Sequence, residues 1–152
     1  MKIIIGGAGA VGTHLAELLS NEKQDIILMD EDKDKLSAMD SNFDLMTVCA
    51  SPTSIQALKN AGVSDADLFI AVMPEESRNM TACMIANNLG AKKTVARIDN
   101  YEYLLPKHKK FFAELGVNSL IYPEMLAAKD IVDAIKMSWI HQWWEFNGGA
   151  LV

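Results

Sequence analysis

Long apolar runs are missing from this sequence of 152 residues, although half of its residues are hydrophobic. The apolar run that follows Lys2 ends at two glycines, which is too short for a signal peptide or a membrane span. No other stretch reaches the roughly 18 apolar residues that a span requires. We therefore expect no direct membrane insertion, which leaves open a partner that is itself in the membrane.

Cysteine and basic charge are scarce as well. Cys49 and Cys83 are far apart and belong to no CxxC or Cys/His metal-binding pattern, so the sequence predicts no metal site and fits a reducing cytoplasm. Fourteen Lys and Arg residues against twenty Asp and Glu residues give a net charge of −6. Because a nucleic-acid-binding domain usually has a basic face, we expect no nucleic-acid partner.

The sequence does contain a regular alternation of short apolar runs and longer segments with helical periodicity. It predicts strands at residues 3–5, 26–29, 45–48, 68–72, 94–98 and 117–122. It predicts helices at residues 11–19, 32–39, 52–60, 75–89, 101–115 and 125–137. Ser51 and Pro52 suit the N-cap and first position of the third helix, and Pro106 interrupts the fifth. Because the strands lack polar alternation, the pattern predicts a Rossmann-like α/β fold, a doubly wound parallel six-stranded sheet with helices on both faces.

A glycine-rich turn separates the first strand from the first helix and comprises Gly7, Ala8, Gly9, Ala10, Val11 and Gly12. Gly7 permits a tight turn, Gly9 has no side chain to block a pyrophosphate, and Gly12 lets the helix and strand pack closely. The first N–H groups of the helix then point at the phosphates, aided by the helix dipole. Since the turn follows a strand and opens a helix, it favours a dinucleotide site over a turn without a ligand.

Asp30 lies at the end of the second predicted strand, where a carboxylate accepts hydrogen bonds from the adenosine ribose. Its charge and that of Glu31 would repel a 2′-phosphate, so the two acids favour NAD or an adenine nucleotide over NADP. Lys35 either reaches a ribose or phosphate group or is a solvated helix lysine.

The ends of the later strands are expected to complete the pocket, because ligands of such sheets bind outside the carboxyl ends of the strands. Ala50 and Ser51 are placed at the adenine. Val72 and Met73 are placed near the middle of the dinucleotide. Arg97 either meets a phosphate or forms a structural ion pair.

Several segments together resemble the TrkA-N domain family (also KTN, or RCK N-terminal) of potassium-transport regulators, over residues 1–137. They are the glycine turn with Asp30, the Ala-Gly-Val-Ser-Asp-Ala-Asp segment at 61–67, and residues 71–79, 95–98 and 121–124. The resemblance implies a cytoplasmic regulatory subunit, held at the inner face of the membrane by a potassium channel or transporter. It also implies binding of NAD or NADH, or of ATP or ADP, with the ligand altering a dimer or ring of domains.

The resemblance also assigns roles to single residues. It places the three glycines of the motif and Asp30 on the dinucleotide, Ala50 and Ser51 at the adenine, and Arg97 at a phosphate. It places Glu76 and Asn79 below the nicotinamide or terminal phosphate. Cys49-Ala50 stands where the family often has Gly-Asp or Gly-Asn, which argues against a polar adenine contact. Gly6 replaces a commoner apolar residue and is expected to matter little.

The last predicted helix, 125–137, carries a heptad-like apolar stripe with further apolar surface beside it. A helix that is apolar over so much of its circumference needs two partners, one of which is its own sheet. The other is either its own domain or a second subunit, and the resemblance favours a homodimer or larger homo-oligomer. Residues 138–152 carry three tryptophans and are interpreted as a tail leading to a further domain beyond residue 152.

A small NAD-dependent oxidoreductase is the competing interpretation. Tyr103 and Lys107 match the YxxxK pair of short-chain dehydrogenases, in which the lysine assists proton transfer by the tyrosine. The pair needs one unbroken helix, and Pro106 lies between its two members. Because no Ser/His/Asp set converges either, we expect a binding protein without catalysis.

Overall fold

Six parallel strands form one sheet in the computed structural model, which describes residues 1–122. The strands are β1 (Lys2–Gly6), β2 (Asp25–Asp30), β3 (Met46–Cys49), β4 (Leu68–Ala71), β5 (Thr94–Arg97) and β6 (Ser119–Ile121). Their order is β3-β2-β1-β4-β5-β6, and every neighbouring pair is parallel. The predicted fold class is therefore confirmed.

Helices follow the strands and cover both faces of the sheet. They are α1 (Ala10–Ser20), α2 (Lys33–Asn42), α3 (Ile55–Asn60), α4 (Glu76–Asn88) and α5 (Pro106–Glu114), with 3-10 helices at Val63–Asp65 and Tyr101–Leu104. Neighbouring residues of β1 face opposite layers, because Ile3 and Ile5 pack with Leu15 of α1, whereas Ile4 packs with Leu58 of α3. All of these side chains are buried, so the strands needed no polar alternation.

The chain adds β2 and β3 on one side of β1 and then adds β4, β5 and β6 on its other side. Gly6, the last residue of β1, pairs with Met29 and with Ala71. The connections that leave β1 and β4 at this edge run to α1 and α4 on opposite faces of the sheet. In doubly wound folds, connections that diverge in this way border the crevice at the carboxyl edge where ligands bind.

The prediction for the third helix was wrong at its start. The helix begins at Ile55, and its N-cap is Ser54, whose side chain accepts a hydrogen bond from the Ala57 N–H. Pro52 is buried instead against β1, because a Cβ on Gly6 would lie 2.9 Å from the Pro52 Cβ. The absence of a side chain at Gly6 therefore makes room for Pro52, contrary to the expectation that Gly6 matters little.

The fifth predicted helix is two elements, and the break falls where the sequence placed it. The 3-10 helix Tyr101–Leu104 ends before Pro106, which is the first residue of α5. The sixth strand is shorter than predicted and starts at Ser119. The predicted helix at 125–137 lies outside the described residues. Within residues 1–122, no helix is long and apolar enough to cross a membrane.

Candidate functional site

The turn between β1 and α1 forms an open cradle at the carboxyl edge. Gly7 has φ +116°, which favours glycine, and its N–H donates to the Met29 carbonyl at 2.8 Å. A Cβ on Gly12 would lie 1.7 Å from the Gly7 carbonyl oxygen, so Gly12 is needed by the turn itself as well as by the packing of the helix. A Cβ on Gly9 would meet no atom within 4 Å, so the space beside Gly9 is open.

The start of α1 presents unused hydrogen-bond donors to this open space. Gly9 is the N-cap of the helix, and no side chain caps it. The N–H groups of Ala10, Val11 and Gly12 make no hydrogen bond to any residue in 1–122. Because these donors lie at the positive end of the helix dipole, the cradle can accept an anion.

Asp30 joins the end of β2 to the glycine turn. One carboxylate oxygen accepts from the Ala8 N–H at 2.8 Å, and the other accepts from the Asp32 N–H at 2.7 Å. The side chain is partly exposed. Each carboxylate oxygen can accept more than one hydrogen bond, so Asp30 retains capacity for hydroxyl donors beside the cradle.

Arg78 lies beside Glu31 and Ser51, although no role was predicted for it from the sequence. It lies in the first turn of α4, and its Nη2 donates both to the Glu31 carboxylate and to the Ser51 hydroxyl, the latter at 3.0 Å. Its Nη1 is 3.9 Å from a carboxylate oxygen of Glu75. A cation in the first turn of a helix is opposed by the helix dipole. The position of Arg78 there was the one sequence signal that nearby carboxylates would be needed to stabilise its charge. Glu31, which was expected to add to the repulsion of a 2′-phosphate, is therefore half of an ion pair.

The loop after β3 borders the same region. The Ala50 N–H donates to the Asp30 carbonyl at 3.1 Å, which ties this loop to the end of β2. The exposed Cys49 thiol donates to the Glu31 carbonyl at 3.5 Å. Lys35 is exposed on α2, and its side chain forms no ion pair within the described range, so its contact with a ligand stays a prediction.

Asn79 is fully buried and joins the ends of β4 and β5. Its side chain accepts from the Met73 N–H at 2.7 Å, and it donates to the Met73 and Arg97 carbonyls at 2.8 and 3.0 Å. Val72 and Met73 are buried where β4 ends, and the Val72 N–H donates to the Gly6 carbonyl. Asn79 thus shapes the middle of the crevice by fixing backbone groups.

Glu76 acts in a similar way one strand further along. One of its carboxylate oxygens accepts from the Asp99 and Asn100 N–H groups, at 2.6 and 2.8 Å. These bonds fix the loop that follows β5. The expected position of Glu76 and Asn79 below a nicotinamide or terminal phosphate stays a prediction, since both side chains already bind backbone.

Arg97, the last residue of β5, has a buried Nε atom without a hydrogen-bond partner in residues 1–122. Of its two expected roles, the structural ion pair is not found within that range. Because this Nε is enclosed by protein atoms, the contact of Arg97 with a phosphate stays a prediction.

Comparison with known proteins shows the family to which the chain belongs. The family model of the TrkA-N domain matches residues 3–123. The chain belongs to the TrkA-N domain family. It is 44% identical over 137 residues to the Trk system potassium uptake protein TrkA of Haemophilus influenzae, and 37% identical over 150 residues to the protein of the same name of Halomonas elongata. These alignments cover 89% and 98% of this chain but 30% and 33% of the relatives, so the chain spans about a third of the length of the relatives it matches.

Solved structures share the fold of this TrkA-N domain. The TrkA-N domain of the inner membrane protein ybaL from Escherichia coli superposes with a TM-score of 0.70 at 15% identity, covering 88% of this chain and 94% of that one. The GsuK channel bound to NAD gives 0.63 at 18% identity, covering 79% and 21%. The Kef CTD of Shewanella denitrificans in its AMP-bound form gives 0.60 at 21%, covering 80% and 70%.

The family segment at 61–67 lies at the opposite, amino-terminal edge of the sheet. Asp67 accepts from the Lys2 N–H at 2.9 Å and pairs with the Lys92 ammonium at 3.0 Å. Partial burial by itself would raise the pKa of the Asp67 carboxyl, but these two partners outweigh it and lower that pKa. This segment therefore links the strands at their amino-terminal edge, away from the glycine turn.

Within residues 1–122, the remaining candidates for chemistry that the sequence offered lie apart from one another. The Tyr103 ring packs on Phe112, with ring centroids 4.8 Å apart, and it lies in the 3-10 helix before Pro106. Lys107 lies beyond that proline in α5, so the YxxxK pair does not share a helix. Cys83 is a core residue of α4. Its burial raises the pKa of its thiol, so the thiol is an unreactive core group.

Proposed function

We propose that this TrkA-N domain binds an adenine-containing nucleotide (NAD or NADH, or ATP or ADP) at the carboxyl edge of its sheet. The proposal further assigns it to the regulatory subunit of a potassium uptake system. The observation that carries it is the open cradle at Gly9, with unused N–H donors at residues 10–12 and with the Asp30 carboxylate bonded to Ala8 of the same turn. The names of the relatives and the nucleotides named for the solved neighbours support the same reading.

Each part of the edge has a role in this proposal. The N–H groups of residues 10–12 bind phosphate, and Asp30 accepts hydrogen bonds from the adenosine ribose. Ala50 and Ser51 border the adenine, and the backbone at Val72 and Met73 lies below the middle of the ligand. Arg97 meets a phosphate. No catalytic role is assigned to any residue.

A sensor must also convert binding into a change elsewhere. A ligand shifts an equilibrium between two arrangements only if it binds one of them more tightly. The proposal places this change in a homodimer or larger ring of domains 1–137, paired through the segment 125–137. The subunit acts in the cytoplasm on an integral-membrane potassium channel or transporter, and residues 138–152 lead to its next domain.

Calorimetric titration with NAD, NADH, ATP and ADP tests the proposed site. Asp30→Ala is expected to weaken every adenosine nucleotide that binds by about tenfold, because a hydrogen bond to a charged group is lost. Asp25→Ala is the matched control, since it removes an exposed aspartate from the other end of the same strand.

The expected result for Asp25→Ala is an affinity equal to that of the wild type. Unchanged affinity for all four nucleotides in Asp30→Ala would mean that the site lies elsewhere. If the wild-type chain bound none of the four, the proposed function itself would be wrong.

A further inference from the structure

Arg78 and Glu31 lie together at the ribose end of the proposed site. Glu31 directly follows Asp30, the proposed ribose ligand, and Arg78 reaches it from the first turn of α4. In Rossmann folds an acid at this place accepts the 2′-hydroxyl of NAD, whereas an arginine nearby accommodates the 2′-phosphate of NADP. This chain has both residue types, and they are bonded to each other.

The guanidinium of Arg78 is engaged but accessible. Its Nη2 group bonds to Glu31 and Ser51, and about a third of its side chain is exposed, against 56% for Glu31. An arginine has five N–H donors, and no hydrogen bond from the others of Arg78 is found within residues 1–122. A planar fork with free donors suits bidentate binding of a phosphate.

The negative charges of Asp30 and Glu31 are stabilised by different kinds of partner. Each oxygen of Asp30 accepts one backbone N–H, so Asp30 is held in place by neutral donors. Glu31 is neutralised by Arg78 and by no other cation among the described residues. Removal of Glu31 therefore takes away an anionic partner of Arg78, whereas it leaves the two hydrogen bonds of Asp30 in place.

We infer that Glu31 sets the selectivity of the site against 2′-phosphorylated nucleotides by holding Arg78. While Glu31 is present, an incoming 2′-phosphate meets its carboxylate and a guanidinium that is already bonded. Without Glu31, Arg78 is released at the position of that phosphate and binds it. The inference rests on the proposed function, because it requires the adenosine ribose to lie at Asp30.

Titrations of NADH and NADPH into the wild-type chain and three variants test this inference. The readout is the ratio of the two dissociation constants, Kd for NADPH over Kd for NADH. In Glu31→Ala this ratio is expected to fall at least about tenfold, because a phosphate gains a charge-assisted partner. In the double variant Glu31→Ala/Arg78→Gln it is expected to return to within about threefold of the wild-type ratio.

Glu75→Ala is the matched control. It removes the other carboxylate near Arg78, with the same change of charge, but it leaves the bonds to Glu31 and Ser51 in place. Its ratio is expected to stay within about threefold of wild type, so a general charge effect is separated from release of the arginine. Circular dichroism checks that each variant folds. Should the double variant unfold, Glu31→Ala/Arg78→Lys replaces it, and it should lose most of the gain because lysine lacks the bidentate fork.

Two results would overturn the inference while leaving the proposed function intact. One is an unchanged ratio in Glu31→Ala when NADH still binds. The other is a double variant that keeps the full gain, which would show that Arg78 does not read the phosphate. If the wild-type chain bound no adenine nucleotide, the proposed function would fail first, and the inference with it.

Discussion

Two glycines of one turn differ sharply in what a side chain would meet. Gly12→Ala places a Cβ 1.7 Å from a backbone oxygen, so we expect a loss of more than about 4 kcal/mol of unfolding free energy, or no folded protein. Gly9→Ala places its Cβ in open space at an ordinary φ of −77°, so we expect less than about 1 kcal/mol. Chemical denaturation measures both values.

The Gly9→Ala variant also distinguishes an effect on nucleotide binding from an effect on folding. Gly9→Ala should fold normally yet bind the nucleotides tested above at least about tenfold more weakly, because its methyl group fills the space proposed for the pyrophosphate. Wild-type affinity in a folded Gly9→Ala variant would contradict the proposed path of the ligand.

Other residues of the site show why sequence patterns predict some roles and miss others. The position of Asp30 beside the glycine turn could be predicted, because a strand end and the turn fix where its carboxylate lies. Arg78 could not, since its partners lie 47 and 27 positions earlier in the chain and meet it only through the sheet order. Asn79 was expected near a ligand, and its burial against three backbone groups depends equally on tertiary contacts.

Among the elements, β1, β4 and β5 are tied at their amino-terminal edge by Asp67. The folded state lowers the pKa of this carboxyl, so its stabilising effect is fully present above the pKa of the unfolded chain, near 3.9, and is lost as the pH falls through the lower folded value. We expect Asp67→Asn to be less stable than wild type at pH 5 to 8. This difference should shrink as the pH falls below about 4.

Denaturant unfolding at several pH values measures that difference. Asp65→Asn is the control, because it makes the same charge change on an exposed residue two positions earlier. A difference between Asp67→Asn and wild type that stayed constant down to pH 2 would contradict the assigned role of the carboxylate.

The order of elements could be read from the sequence because apolar runs and helical periodicity are local signals. Their ends could not always be read in this way. Ser51 and Pro52 form a good local start for a helix, but Pro52 instead fills the space beside Gly6, and Ser51 bonds to Thr53 and Arg78. The helix therefore starts at Ile55, where Ser54 provides an equally good cap.

At the scale of the whole molecule, the proposed sensor predicts a ligand-dependent arrangement of paired domains. Small-angle scattering of the chain with and without saturating nucleotide should give different curves, because the ligand favours one arrangement over the other. The Asp30→Ala variant at the same nucleotide concentration is the control. Identical wild-type curves at proven saturation would contradict the proposed coupling, although not the binding site.

The bonds that hold the glycine turn without a ligand have a thermodynamic consequence. The Gly7 N–H is bonded to Met29, and the Ala8 N–H is bonded to Asp30, so the cradle already has its shape. A nucleotide that enters such a preorganised cradle loses little of its interaction energy to ordering the loop. More of that energy then remains to favour one arrangement of the proposed paired domains, so a preorganised turn should couple binding to that arrangement more strongly than a flexible one.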